Sequence, residues 1–249
     1  MNEKDYLKLE KAFNEYTKDY DMKNTNIYLK YKHSFNVANF MEELANNLYL
    51  DEEDVYLAKA IGLLHDIGRF EQLKLFNSYN DKLYEHANCA CDYLFRDNHI
   101  RDFIKDDKND NIINKAIYNH NKFEIEEGLN DRELLFSKMI RDMDKLDIFF
   151  QVGYHLNPSF VEKPTKSVVK DFFDGKGIGN KELKKKSDFV IETLAFLNNI
   201  YFKETFDMII ETDNLGFYLS SVEVSKENEE LFNKIRNRCY DIVAGEMTV

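Results

Sequence analysis

The chain has 249 residues and is 43% hydrophobic, which supports one sizeable core. Its nine glycines and two prolines are too few for a turn-rich all-β fold. The 34 Lys and Arg against 46 Asp and Glu leave a formal net charge of -12, which argues against long nucleic acid or an anionic membrane as a partner. A small phosphate ester stays admissible, because a single cationic pocket is enough to hold it. No run approaches the roughly 18 apolar residues of a membrane span, and the charged Met1-Asn2-Glu3-Lys4-Asp5 leads into no signal-peptide core, so a cytoplasmic location is expected. Cys89, Cys91 and Cys239 are an odd set with no disulfide framework, and Cys89 and Cys91 would face different sides of a helix, which argues against a thiolate metal site.

In chain order, residues 26–50 place Val37, Phe40, Met41, Leu44, Ala45 and Leu48 at helical steps of three and four, with His33 on the same stripe. Asp51 is the expected N-cap of a second helix carrying Val55, Leu57, Ala58, Ile61, Leu64 and His65, with Gly68 as its stop. Residues 71–82 read as a loop, and a helix follows in which His86, Ala90 and Leu94 stack. After a polar break at 106–111, Ile113, Ala116, Ile117 and His120 share one face. Asn130 or Asp131 caps the next helix, whose stripe runs Leu135, Phe136, Met139, Ile140, Met143 and Leu146.

Beyond Phe150, Asn157-Pro158-Ser159 and Lys163-Pro164-Thr165 break helix, and Gly175, Gly177 and Gly179 suggest a turn or short β-hairpin within 160–180. That triplet lacks both the dinucleotide-binding spacing and a phosphate-loop ending. Helical periodicity resumes at 189–206 and 231–242. The basic run Lys163, Lys166, Lys170, Lys176, Lys181, Lys184, Lys185 and Lys186 reads first as a solvated face and secondarily as a lid over an anionic substrate.

The chemistry concentrates on four histidines, His33, His65, His86 and His120, on the apolar stripes of four successive helices, with Asp66 and Asp144 beside such stripes. A neutral imidazole is buried cheaply, whereas an ionised aspartate at a core requires a partner or a metal. Imidazole with carboxylate suits one or two divalent transition-metal ions (Mn, Fe, Zn, Ni or Co), and six donors exceed what one open site needs, so two ions bridged by a carboxylate are expected. Periodicity alone does not choose between Asp142 and Asp144, which flank the stripe on different sides.

The ordered set His33, His65-Asp66, His86, His120, Asp144 resembles the HD superfamily of metal-dependent phosphohydrolases. His65-Asp66-Ile67-Gly68-Arg69-Phe70-Glu71 with Arg141-Asp142-Met143-Asp144-Lys145-Leu146-Asp147 looks like one bacterial branch of it. The resemblance covers about 26–150 and implies an all-α HD-type helical bundle with its metal-binding core there; with the helical periodicity beyond Phe150 the chain reads as a single domain over 1–249, the core at 26–150 and a C-terminal helical extension at 151–249. It implies that His33, His65, Asp66 and Asp144 form the basic metal quartet, with Asp66 bridging and His86 and His120 added in two-metal members. It selects Asp144 over Asp142, and it leaves His99 and His155 without a counterpart.

The implied activity is hydrolysis of a small, nucleotide-like phosphate ester by attack of a metal-bound hydroxide on phosphorus. Asp66 would be central to it, and Arg69 or Lys145 would orient the phosphate. The Gly-Tyr-Pro signature of cyclic-dinucleotide hydrolases is missing, and Ile67-Gly68 replaces the Glu-Asp pair of alarmone hydrolases, which disfavours both substrates. The competing readings are a di-iron oxygenase of HD type and a non-catalytic regulatory module that binds a ligand.

Overall fold

Polar helix caps and two close-packed glycines explain how the metal-ligand candidates are brought into reach of one another. The computed structural model describes residues 1–155, 157–179 and 183–245. The described chain is helical apart from two short strands, and it divides into two compact units, Met1–Asp144 and Lys145–Val249.

In the first unit, α1 (Glu3–Thr17) is capped by Asn2, whose side chain accepts the Asp5 N–H, and it buries Tyr6, Leu9 and Phe13 at helical spacing. The long α2 (Thr25–Asn47) begins at Asn24, which accepts the Asn26 N–H, and carries the expected stripe of Val37, Met41, Leu44 and Ala45 with His33 buried on it. Asp51 caps α3 (Glu52–Leu64) through the Asp54 N–H, as its position predicts. Gly62 of α3 lies so close to α2 that an added Cβ would fall 2.7 Å from the Ala38 Cα. Only glycine allows that approach.

The helix does not stop at Gly68. The break falls at His65 and Asp66, and Gly68 lies inside α4 (Ile67–Phe76), so the segment expected as a loop is helical as far as Phe76. Gly68 is required for packing instead. A Cβ there would sit 2.0 Å from the His86 carbonyl oxygen and 2.7 Å from the Ala90 nitrogen, on the helix α5 (His86–Cys91) that continues into a π-helical turn at Asp92–Arg96. The short α6 (Ile100–Phe103) and α7 (Asp110–Asn119) follow. At the start of α8 (Asp131–His155), Asn130 and Glu133 form a reciprocal box: each side chain accepts the other's backbone N–H at 3.0 Å.

In the second unit, β1 (Ser159–Phe160) precedes α9 (Lys166–Phe173), α10 (Lys186–Ala195), a 3₁₀ turn at Phe196–Asn199, α11 (Lys203–Thr212) and α12 (Asn214–Ser221). Then come β2 (Glu223–Val224) and α13 (Glu229–Val243). The two strands pair in parallel, Ser159 with Glu223 and Phe160 with Val224. This corrects the expected hairpin: among the described residues of 160–180 there is none, because β1 takes its partner from beyond four helices. Buried Asp188 holds the start of α10, accepting from the Thr165 N–H and hydroxyl and from the Lys184 and Lys185 N–H groups. In the basic run, Lys170 pairs with Asp174 and Lys176 with Asp171 and Asp174, while Lys181 lies outside the described residues. No described helix is long and apolar enough to cross a membrane.

Because Gly68 faces backbone rather than a flexible side chain, Gly68→Ala should destabilise the fold by about 1–3 kcal/mol or more. Gly179→Ala, with nothing within 4 Å of the new methyl, serves as the control. Thermal melts of the two variants test this, and equal melting temperatures would contradict it.

Candidate metal centre

Adjacent residues in an uninterrupted helix point about 100° apart, so His65 and Asp66 could not face one point from within one. The break between α3 and α4 removes that limit. His65 ends α3 in helical conformation, and Asp66 takes φ -101° and ψ 15°, after which the chain turns into α4. Around this junction, α2 contributes His33 from its middle, α5 contributes His86 as its first residue, α7 is followed immediately by His120, and α8 contributes Asp144. His65 is fully buried, His33, Asp66, His86 and His120 are buried, and the Asp144 side chain is 18% exposed.

The six side chains converge. His65 Nε2 lies 3.3 Å from His33 Nε2, and His86 Nε2 lies 3.0 Å from His120 Nε2. Asp66 stands between the two imidazole pairs, one oxygen to each. Its Oδ2 is 3.7 Å from His33 Nε2 and 3.8 Å from His65 Nε2; its Oδ1 is 3.6 Å from His86 Nε2 and 3.8 Å from His120 Nε2. Asp144 Oδ1 adds to the first pair, 3.0 Å from His33 Nε2 and 3.7 Å from His65 Nε2. Two ligand groups able to hold a metal ion result: His33, His65 and Asp144, and His65, Asp66 and His120, each with donor atoms within 4.8 Å of one another.

The tautomers follow from the outer hydrogen bonds. His65 Nδ1–H donates to the Gly62 carbonyl at 2.7 Å, His120 Nδ1–H to the Ile117 carbonyl at 2.6 Å, and His86 Nδ1–H to the Asp81 carboxylate at 2.9 Å. Carbonyls and carboxylates only accept, so in the neutral rings the lone pairs sit on the three Nε2 atoms. Burial pushes the His86 ring down to about 4 against the charge-favouring hydrogen bond with Asp81, and burial likewise lowers His65. Two lone pairs 3.0 Å apart repel unless a cation or proton lies between them, and a set of imidazole and carboxylate donors suits a transition metal.

Burial alone would raise Asp66 and Asp144, yet both carboxyls are held well below the ordinary range. For Asp66 the Lys30 ammonium is the first compensating charge; for Asp144 the hydrogen bonds to His33 and His65 are.

Asp144 faces the histidines, and Asp142 is fully buried and belongs to neither ligand group. Arg69 does not pair with Glu71, which instead accepts the Tyr16 and Tyr20 hydroxyls at 2.7 and 3.1 Å. Its Nη1 donates to Asp81, Gln72 and the Tyr79 carbonyl, and its buried Nε lies 3.9 Å from Asp66 Oδ1. Lys145 falls in the second unit, where its ammonium donates to the Asn199 carbonyl at 2.6 Å. His99 is half-exposed and pairs with Asp102 at 2.9 Å.

Three residues of the site were not anticipated. Lys30, one turn before His33, puts its ammonium 2.6 Å from Asp66 Oδ2 with its side chain 30% exposed. Its i, i+3 relation to His33 was available as a signal. Asp81 lies in a loop with no periodicity to mark it. Buried Arg141 donates to the carbonyls of Asn119, Lys122 and Phe123 and so fixes the chain on either side of His120.

Residues 31–148 match the family model of the HD domain, and the match spans all six converging side chains. By this match the segment is similar to the HD domain, a family whose members are in general metal-dependent hydrolases. No curated protein and no solved structure matches the chain at a significant level.

Depressed imidazole pKa values set a pH window. The unfolded chain takes up its histidine protons near 6.5, whereas folded His86 resists to about 4. Stability carried by the neutral rings is therefore full above about pH 6.5 and lost as the pH falls toward 4. Thermal melts of the chelator-treated protein should decline across this window, and His86→Gln should flatten the decline. A wild-type melting temperature that stays constant to pH 4.5 would contradict the neutral-ring assignment.

Proposed function

We propose that the chain is a metal-dependent phosphohydrolase acting on a small, nucleotide-like phosphate ester, with two divalent cations held on either side of Asp66. The observation that carries this reading is the placement of the Asp66 oxygens, Oδ2 toward His33 and His65 and Oδ1 toward His86 and His120. On this reading Asp144 completes the first position. A divalent cation held in such a cluster supplies Lewis acidity to a phosphoryl oxygen and lowers the pKa of nearby water.

The chain's own contribution is orientation and charge. The carbonyls of Gly62 and Ile117 and the Asp81 carboxylate aim three Nε2 atoms inward, and the buried walls exclude bulk water. An anionic substrate approaching a protein of net charge -12 needs a local cation. Lys30 is the first assignment for that role, since its ammonium already lies against the cluster and its side chain reaches solvent. Arg69, whose Nε lies 3.9 Å from Asp66 Oδ1, is the further cation assigned to phosphate. The occupants named by this reading are Mn, Fe, Zn, Ni or Co, and the expected setting is the cytoplasm.

Asp66→Ala should abolish metal uptake and phosphate-ester hydrolysis together, measured by metal analysis and a panel of phosphomonoesters and phosphodiesters. Full activity in this variant would rule out the site. Turnover by the wild type that requires oxygen would replace hydrolysis with the oxygenase reading.

A further inference from the structure

The two histidine pairs are not held in the same way. His65 and His120 both follow a helix, so the carbonyl three residues back in that helix, of Gly62 and of Ile117, is in place to accept Nδ1–H. Local backbone is sufficient for them. His86 is the first residue of α5, and the chain before it is a loop. No preceding helical turn can serve its ring, and the acceptor has to come from a side chain.

That side chain is Asp81. Its Oδ1 and Oδ2 lie 2.9 and 3.0 Å from His86 Nδ1, and Oδ1 also accepts the His86 backbone N–H at 3.2 Å. Asp81 is itself clamped from α4: Arg69 Nη1 donates to Oδ1 at 2.9 Å, and Gln72 Nε2 donates to the same oxygen at 3.0 Å. The same two residues grip the loop on both sides of Asp81, Arg69 through the Tyr79 carbonyl at 3.0 Å and Gln72 through the Tyr84 carbonyl.

We propose that Asp81 is a positioning residue that makes the His86 and His120 half of the centre competent, so that loading of the second cation depends on the loop at 77–85 as clamped by Arg69 and Gln72. This rests on the two-cation reading above. Without Asp81 the His86 Nδ1–H loses its charged acceptor and keeps beside it only the neutral Asn121 amide, whose Nδ2 lies 3.3 Å away, so the ring is free to turn or to move its proton to Nε2, the atom that has to carry the lone pair. The contacts described at the first position, His65 Nδ1 to the Gly62 carbonyl and Asp144 Oδ1 to His33 and His65, come from outside this loop. The two cations therefore bind with unequal dependence on Asp81, and through Asp81 Arg69 also acts on the second position, in addition to any contact with phosphate.

The test is calorimetric titration of chelator-treated protein with Mn²⁺, for the wild type, Asp81→Ala and Asp81→Glu. The wild type should take up two equivalents. In Asp81→Ala the second should weaken by about 10- to 100-fold while the first changes by less than about threefold, and Asp81→Glu should recover part of the loss. Asp81 is 37% exposed at its side chain; should Asp81→Ala fail to fold, Asp81→Asn, which keeps an acceptor but drops the charge paired with Arg69, should still weaken the second equivalent selectively. Unchanged titration, or equal weakening of both equivalents, overturns the proposal. A wild type that takes up one equivalent overturns the two-cation reading as well, whereas failure in Asp81→Ala alone leaves that reading standing.

Discussion

The structure depends on one electrostatic constraint, a buried carboxylate with imidazole lone pairs aimed at it from two sides. Asp66 is almost wholly buried. Neither the hydrocarbon around it nor the neutral imidazoles offer it a charge, and the nearest compensating group is the Lys30 ammonium. The three Nε2 lone pairs fixed by outer hydrogen bonds have the same need for positive charge. A cluster of this kind is costly in a core unless it binds cations, and that cost is the strongest physical argument that binding cations is its purpose.

The surrounding architecture can be understood as meeting the geometric demands of that cluster. Gly62 lets α3 lie against α2, and Gly68 lets α4 lie against α5, which brings His33, His65 and His86 within reach. The break at His65 and Asp66 lets neighbouring residues face one centre. Arg141 holds the turn that carries His120 by donating to the carbonyls of Asn119, Lys122 and Phe123 around it. Each of these acts on position, and on the proposed reading the chemistry falls to the six side chains they position.

All six of those side chains were legible in the sequence, because each lies on or beside an apolar stripe whose helical period shows. The order of the set, with the HD-domain resemblance, chose Asp144 where periodicity could not separate it from Asp142. The match over residues 31–148 and the all-α fold agree with the HD-domain resemblance. Other features were hidden for identifiable reasons. Gly68 looks like a helix stop because glycine often ends helices, but here the missing Cβ makes room for the His86 carbonyl. Asp81 stands in a polar loop among other polar residues, and only the folded chain reveals that it serves His86. The pairing of β1 with β2 joins residues far apart in sequence, and two-residue strands leave no periodic trace.

The central claim is that Asp66 lies between two cations. Anomalous diffraction from crystals grown with Mn²⁺ tests it most directly. The account predicts two peaks, one flanked by His33, His65 and Asp144 and the other by His86 and His120, with one Asp66 oxygen directed at each. A single peak, or peaks that do not touch Asp66, would contradict it.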